Sequence, residues 1–345
     1  MGLQVEPGGS VLSFGELLIR FCPDGDGNWL KENSLKFYLG GAELNVATAL
    51  ALWGVKSKYF TALPDNGMSN QVLSLLEEKN IDTSAVHFGG KRIGTFYLTT
   101  GRDMKNDALI YDRAGSSFAE LGAGVIDWDK VFEGVKWFHF SAICPALSQN
   151  VADLCEEALA AASERGILIS VDLNYRAKLW QYGKSPKEVM PSLAKYCDLI
   201  MGNIWAAEKM LDIPVDLEVT ESGQKSIYLK AAQWSSQEIM KQYPKCRAVA
   251  NTFRFDGGKD IAYYTALYTD EHLYHSFEYN TDAVVDKVGS GDCFMAGLIY
   301  GYYNNLHPSD TLAFATAAAF EKLFIAGDAT HSTVEEIKQA IQYEN

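Results

Sequence analysis

The sequence lacks the features that would direct it to a membrane or to nucleic acid. It has no apolar run long enough to cross a bilayer, and residues 1–10 contain no apolar signal core. Basic residues are in the minority, because 30 Lys and Arg stand against 44 Asp and Glu, for a net charge of −14. Nucleic acids and anionic membrane surfaces usually bind a basic face, so we expect neither as a partner.

Paired cysteines and low-complexity runs are also absent. The six cysteines are scattered and form no Cys-x-x-Cys pair, which is typical of a reduced intracellular protein. We therefore predict a cytoplasmic location. Runs of Pro, Gln or Ser are missing and 48% of the residues are hydrophobic, so we expect a large folded core with disorder only at the ends.

Short apolar runs alternate with longer helical patterns along the chain. Each run is followed by a small or polar residue; the runs cover residues 11–14, 136–140, 167–171, 199–201 and 248–250. The helical patterns include residues 43–52, 69–79 and 151–165. Short buried runs are typical of parallel strands. The alternation predicts an α/β fold with a doubly wound, mostly parallel sheet flanked by helices.

Two segments, 17–39 and 93–115, break this alternation with paired short strands and polar turns. They have no helix of their own, so we predict that they form a small, discontinuous β lid. Residues 1–16, 40–92 and 116–345 would then form the nucleotide- and substrate-binding core. Exposed strand edges favour pairing, and we expect a homodimer through the lid. The alternative is that both segments are surface hairpins without a role.

The most informative pattern lies near the C-terminal end, where an apolar run ends at Asp286, a glycine-rich turn follows and an apolar helix begins near Asp292. The first turn of a helix has unpaired N–H groups and the positive end of the helix dipole. Gly289 and Gly291 let this backbone approach a ligand closely. The turn, which includes Ser290, is a candidate site for phosphate or for the charge that develops during phosphoryl transfer. Asp292 is either a helix N-cap or a general base for an attacking hydroxyl.

Two stretches carry a family resemblance. One reads Asp286-Lys-Val-Gly-Ser-Gly-Asp292 and resembles the Asp-Thr-x-Gly-Ala-Gly-Asp signature of the ribokinase-like, or PfkB, carbohydrate kinases. The other reads Gly40-Gly-Ala-Glu-Leu-Asn45-Val-Ala and resembles the family's Gly-Gly-x-x-x-Asn-x-Ala stretch, which binds substrate. The two occur in the family's order, and the resemblance extends over nearly the whole chain. It implies the fold predicted above, with a small β lid.

The resemblance also implies roles for individual residues. Asp292 would be the catalytic base, and residues 289–291 would form the anion hole that stabilises the transferring phosphoryl group of ATP. Asp286 would lie near the phosphates and Mg²⁺. The implied nucleotide-binding residues are Asn203, Thr252, Gly257, Asp286, Gly289 and Gly291.

The chain departs from the family pattern at three positions. Lys287 replaces Thr and Ser290 replaces Ala, and neither change removes a catalytic group. Lys287 would add a positive charge near the nucleotide or point to solvent. Ala206 stands where an Asn-x-x-Glu stretch that begins at Asn203 would place a glutamate that helps to organise Mg²⁺. We therefore assign no protein ligand to the metal.

Three further stretches resemble those of one branch of the family, the 2-keto-3-deoxygluconate kinases. They are Gly15-Glu-Leu-Leu-Ile-Arg20-Phe-Cys-Pro23, Tyr111-Asp-Arg113 and Asp172-Leu-Asn174-Tyr-Arg176. The resemblance implies a sugar acid as acceptor, phosphorylated on its terminal hydroxyl. Because a planar guanidinium group binds carboxylates in a bidentate way, we expect Arg113 and Arg176 to bind the acid. The implied substrate-binding residues are Gly40, Gly41, Asn45, Phe96, Tyr111, Arg113 and Arg176.

Several alternatives stay open at this point. Arg113 and Arg176 would each form a surface salt bridge if neither bound substrate, and Arg176 would also suit nucleotide phosphates. The alternative for Asn45 is a helix cap. The alternative acceptor is a neutral sugar such as fructose or ribose. A sugar-sensing protein without turnover is a further alternative, because a fold alone does not fix function.

Overall fold

The computed structural model describes residues 3, 8–23, 33–99, 109–257 and 260–343. Its strands are β1 (Ser10–Phe14), β2 (Leu18–Cys22), β3 (Lys36–Gly40), β4 (Ser57–Phe60), β5 (Ala62–Leu63), β6 (Ile81–Asp82), β7 (His87–Phe88), β8 (Gly94–Tyr97), β9 (Ile110–Asp112), β10 (Val135–Ser141), β11 (Leu168–Asp172), β12 (Leu199–Gly202), β13 (Ala248–Gly257), β14 (Asp260–Thr269), β15 (His272–His275) and β16 (Tyr279–Thr281). Its helices are α1 (Ala42–Leu52), α2 (Gly67–Glu78), α3 (Trp128–Val131), α4 (Gln149–Glu164), α5 (Pro186–Ala194), α6 (Ile204–Leu211), α7 (Leu217–Ser222), α8 (Lys225–Gln242), α9 (Ser290–Tyr303), α10 (Pro308–Glu321) and α11 (Val334–Ala340).

The larger sheet has ten strands, in the order β15-β14-β13-β12-β11-β10-β1-β4-β6, with β16 beside β14. Strands β13 to β6 of this order are parallel, whereas β14, β15 and β16 add antiparallel pairs. Helices α1, α9 and α10 pack on one face, and helices α4, α5 and α6 pack on the other. The predicted doubly wound, mostly parallel α/β fold is confirmed. Within the described ranges, no helix combines the length and the apolar composition needed to span a membrane.

The middle of this sheet has a topological switch point. Strand β1 pairs with β4 on one side and with β10 on the other, and all three are parallel. The chain therefore leaves β1 and β10 in opposite directions across the sheet. In open α/β sheets, ligands bind beyond the carboxyl ends of the strands at such a point.

A separate four-stranded sheet, in the order β3-β2-β8-β9, lies in the two segments that lacked helical patterns. Strands β8 and β9 pair antiparallel with Phe96 opposite Tyr111, as the hairpin prediction requires. The turn predicted between these strands, and the one between β2 and β3, fall largely outside the described residues. The division into a core and a lid stays a prediction.

Strand β13 is longer than the sequence suggested. The prediction ended its apolar run at Ala250, but the strand continues to Gly257 and pairs antiparallel with β14 along its whole length. Phe253 explains the extension, because its ring is fully buried and stacks on the ring of Tyr264 at a centroid distance of 5.0 Å. The alternation of buried and less buried side chains replaces the continuous apolar run beyond Asn251.

Candidate active site

A cleft of about 480 Å³ opens at the carboxyl ends of the central strands, beside the small sheet. A volume of this size suits a small-molecule ligand. Its wall includes Phe96 and Tyr111 from the small sheet and Asp172 from the end of β11. The predicted site residues that this cleft brings together are Gly41, Asn45, Phe96, Tyr111, Arg113, Arg176, Asn203, Thr252, Gly289, Ser290, Gly291 and Asp292.

The turn before α9 holds an open set of backbone N–H groups against the cleft. Gly289 is the N-cap, with a left-handed φ of 81°, and a Cβ atom there would lie 1.8 Å from the carbonyl oxygen of Asp328. Only glycine fits this position. The N–H groups of Ser290, Gly291 and Asp292 have no hydrogen-bond acceptor among the described residues. This first turn is therefore available to an anion, as the sequence predicted.

Asp292 lies in this first turn, half-buried, at the wall of the cleft. Its carboxylate makes no capping hydrogen bond to α9, so the N-cap alternative is wrong. Burial raises the pKa of Asp292 to about 7, and the negative charge of Asp172 adds to this shift. Asn45 opposes the shift, because its Nδ2 donates a hydrogen bond to Asp292 Oδ2 at 2.7 Å. A carboxylate with a pKa near neutrality is suited to general-base catalysis.

Asn45 lies inside α1 and does not cap it. Gly41 is the N-cap of α1, with a φ of 126°, and the N–H of Asn45 already bonds to the Gly41 carbonyl oxygen at 2.9 Å. A Cβ atom on Gly41 would lie 2.3 Å from the carbonyl oxygen of Glu16. The Oδ1 atom of Asn45 is buried at the cleft and has no partner among the described residues, so it is placed to bond a ligand hydroxyl.

Arg113 forms a buried ion pair at the cleft, and the surface salt bridge considered for it is ruled out. Its Nε donates to Glu16 Oε2 at 2.6 Å, and its Nη2 lies 2.5 Å from the same oxygen. Ser116 Oγ donates to the other oxygen, Oε1, at 2.5 Å. Both charged side chains line the cleft, so a ligand carboxylate at Arg113 would have Glu16 as a neighbour.

Tyr111 and Arg176 also line the cleft. The hydroxyl of Tyr111 is buried without a partner in the described part of the chain, although its ring packs near Phe96 at 6.4 Å between centroids. Arg176 is half-buried after β11, where its positive charge lowers the pKa of Asp172 against the larger effect of burial. Arg176 is one of the residues that line the cleft.

A family model decides the identity of the fold and its chemistry. The model that describes the pfkB family carbohydrate kinases matches residues 9–331. This chain belongs to the PfkB family. It is therefore a carbohydrate kinase with a ribokinase-like fold, as the two signature stretches indicated.

Known relatives of this PfkB protein include kinases of sugar acids and of fructose. The 2-dehydro-3-deoxygluconokinase of Thermotoga maritima has a solved structure with a TM-score of 0.86 and 32% identity, covering 96% of this chain and 99% of the other. The 2-dehydro-3-deoxygalactonokinase of Haloferax volcanii is 26% identical over 96% of both chains. A probable fructokinase-2 of Arabidopsis thaliana is 28% identical over 84% of this chain and 80% of its own.

Three predicted site residues do not line the cleft of this PfkB protein. Asp286 is fully buried, and its Oδ2 accepts a hydrogen bond from Arg20 Nη1 at 2.9 Å. Gly40 packs so closely that a Cβ would lie 2.2 Å from Asp328 Oδ2, so its role is close packing. Gly257 is exposed and ends β13 opposite Asp260, at the far end of the hairpin strands.

The wall of the cleft includes three further basic side chains. Lys209, Arg254 and Lys287 line it, and Lys287 Nζ pairs with Asp256 Oδ1 at 3.1 Å instead of pointing only to solvent. Asn203 caps α6, since its Oδ1 accepts from the Ala206 N–H at 2.8 Å. In the residues that the structure describes, no three His, Cys, Asp or Glu side chains come together as a metal site.

Sequence reasoning missed four carboxylates that line the cleft, namely Glu16, Glu43, Asp172 and Asp328; Glu16 stands in the quoted stretch that begins at Gly15. Burial raises the pKa of Glu43 to about 7 despite the hydrogen bond from Ser141 Oγ. Burial likewise raises the pKa of Asp172 to about 6. Glu43 and Asp172 belong to the quoted signature stretches, so position in a motif was the available signal. Asp328 belongs to none of the quoted stretches.

We predict that Asn45→Ala moves the acid limb of kcat/KM to higher pH. In the wild type, kcat/KM should fall as the pH drops through about 7, because only ionised Asp292 accepts a proton. Without the Asn45 hydrogen bond the carboxylate loses roughly 1.5 kcal/mol of stabilisation, or about one pKa unit. The measurement is kcat/KM across this pH range.

The matched control is Asn66→Ala, which removes the N-cap of α2 away from the cleft and should leave the acid limb in place. An acid limb that stays at its wild-type pH in Asn45→Ala would show that this hydrogen bond does not set the pKa of the base.

Proposed function

We propose that this PfkB kinase phosphorylates the terminal hydroxyl of a sugar acid, with 2-keto-3-deoxygluconate (2-dehydro-3-deoxygluconate) converted to its 6-phosphate. The observation that carries the proposal is the placement of Arg113 and Arg176 on the wall of the same cleft as Asp292. An acidic chain needs such local cations to bind an anionic acceptor. The sugar-acid kinases of Thermotoga maritima and Haloferax volcanii, which match almost the whole chain, support the same acceptor class.

The chain's own residues divide the reaction between binding and proton transfer. Asp292 accepts the proton of the terminal hydroxyl as its oxygen attacks the γ-phosphate of ATP. The N–H groups of residues 290–292 stabilise the negative charge on the transferring phosphoryl group. Asn45 Oδ1 and the Tyr111 hydroxyl, both without partners in the described residues, orient the sugar. Arg113 and Arg176 bind its carboxylate.

We assign the part of the cleft that contains Lys209, Arg254 and Lys287 to ATP with Mg²⁺. Lys209, Arg254 and Lys287 supply charge for the phosphates. Mg²⁺, when bound, would supply positive charge that offsets the charge of the phosphates, and proteins usually hold this ion through one or two carboxylates together with the substrate phosphates. This suits a site in which Ala206 stands at the position of the family's glutamate. Closure of the small sheet as a lid would exclude water and limit wasteful hydrolysis of ATP.

A kinase of a neutral sugar is the second candidate, and one observation favours it. Glu16 already neutralises Arg113, so the pair as a whole carries no net charge for a carboxylate. In a neutral-sugar kinase, Glu16 would accept hydrogen bonds from sugar hydroxyls. The probable fructokinase of Arabidopsis thaliana among the relatives is consistent with this candidate.

An acceptor panel with two arginine variants separates the candidates. We predict that 2-keto-3-deoxygluconate gives a higher kcat/KM than fructose or ribose. Arg113→Leu should raise the KM for the sugar acid by about 10-fold or more, because a hydrogen bond to a charged group contributes ~1.5 kcal/mol or more. Arg165→Leu is the matched control, since Arg165 pairs with Asp129 outside the cleft.

Each outcome has one meaning. A preference for fructose, or an unchanged KM for the sugar acid in Arg113→Leu, would replace the proposal with the neutral-sugar kinase. Absence of phosphate transfer to every acceptor, with sugar still bound, would replace it with a sugar-sensing protein.

We also propose that the protein is a homodimer joined through the small sheet. Strands β3 and β9 are the edges of that sheet, and Phe37 and Ile110 on them are 62% and 48% exposed. Burying such edges and side chains against a second copy is favourable.

Phe37→Lys should convert the dimer to a monomer in light scattering. The control is Phe88→Lys, which changes an exposed phenylalanine outside this sheet and should leave the dimer intact. A wild-type monomer would contradict the proposal.

We further propose that the protein is cytoplasmic. The six cysteines, all among the described residues, are buried and form no disulfide, which supports a reducing compartment. Fractionation of cells that express the protein, with the protein found outside the cytoplasm, would contradict this location.

A further inference from the structure

Arg20 lies on strand β2 of the small sheet, yet its side chain is fully buried against the core. Its Nη1 lies 2.9 Å from Asp286 Oδ2 and 2.9 Å from Asp328 Oδ1. Its Nε and Nη2 donate to the carbonyl oxygens of Leu98 and Thr99, at 3.3 and 3.4 Å. One guanidinium group therefore joins strand β2 and the segment after strand β8 to two loops of the core.

The two carboxylates bound by Arg20 support the turn before α9 from behind. Asp286 accepts hydrogen bonds from the N–H of Val288 at 3.2 Å and from the N–H of Gly327 at 3.3 Å. The carbonyl oxygen of Asp328 occupies the space that a side chain on Gly289 would need. A shift of either aspartate would therefore move the backbone that carries the open N–H groups.

The charges of this buried group balance. Lys322 is also fully buried, and its ammonium group interacts with the negative charges of Asp286 and Asp328. Two cations therefore lie near two carboxylates. Loss of Arg20 would leave both carboxylates with a single ammonium group. Unpaired buried charges are strongly unfavourable, and relief comes by moving apart or admitting water. Either response displaces the turn.

We propose that Arg20 is a positioning residue for phosphoryl transfer, which sets the N–H groups of residues 290–292 and couples them to the small sheet. It does not line the cleft and touches no reactant, so it acts through Asp286 and Asp328. A displacement of about 1 Å at such a site costs roughly 10²-fold in rate. The inference depends on the kinase activity alone and not on which acceptor is used.

The test compares Arg20→Met, Arg20→Lys and Arg247→Met in the full chain. Arg20→Met should lower kcat by about 10²-fold, with KM for the acceptor changed much less. Arg20→Lys keeps the charge but loses the planar fork, so its kcat should lie between those of the wild type and Arg20→Met. Arg247→Met is the control, because Arg247 pairs with the buried Asp198 at 2.9 Å outside the cleft; it should lower the Tm without lowering kcat.

A lower Tm with a wild-type kcat per folded molecule in Arg20→Met would reduce Arg20 to a purely structural residue and overturn the inference. If Arg20→Met does not fold, Arg20→Lys decides, and a wild-type kcat in that variant overturns it as well. The assay uses whichever acceptor the wild type phosphorylates. Failure of the sugar-acid proposal is therefore seen in the wild type, and failure of this inference is seen in the ratio of variant to wild type.

Discussion

The structure depends on keeping the backbone N–H groups at the start of α9 unpaired at the wall of a cleft. Unpaired backbone groups are costly when buried, so the surrounding chain has to hold the turn in place. Gly289 adopts a left-handed φ against the Asp328 carbonyl, and Asp286 Oδ1 accepts a hydrogen bond from the N–H of Val288, the residue before Gly289. The turn thus holds its N–H groups open to an anion, and the proposed phosphoryl transfer needs electrostatic preorganisation of this kind.

Charge in the cleft is arranged locally within an acidic protein. The net charge of −14 does not predict the local charge of the cleft, where arginines and lysines lie beside several carboxylates. Burial raises the pKa values of Glu43, Asp172 and Asp292 to between about 6 and about 7. Only Asp292 among these three lies in the first turn of α9, so its position beside the open N–H groups, and not its pKa alone, is the reason that we propose it as the base.

The sequence predicted the fold, and it brought together the residues of the proposed site, because both depend on local patterns. Apolar runs gave the parallel strands, and the glycine-rich turn before an apolar helix gave the site around Asp292. Contacts between distant segments were not predictable in the same way. Asp286 is paired with Arg20, which lies far away in the sequence, and it is buried behind the wall of the cleft instead of lining it. Gly40 and Gly257 were likewise misplaced, because a glycine in a motif serves close packing or a hairpin as readily as ligand contact.

The most direct measurement is single-turnover transfer of labelled phosphate from ATP to the acceptor by the wild type and by Asp292→Ala. The account predicts that both bind ATP and acceptor, but that transfer by Asp292→Ala is slower by at least ~10²-fold, because the base is missing. Asp310→Ala removes an acidic residue from the first turn of the neighbouring helix α10 and should transfer phosphate at the wild-type rate. Near-normal transfer by Asp292→Ala would contradict the role of this carboxylate.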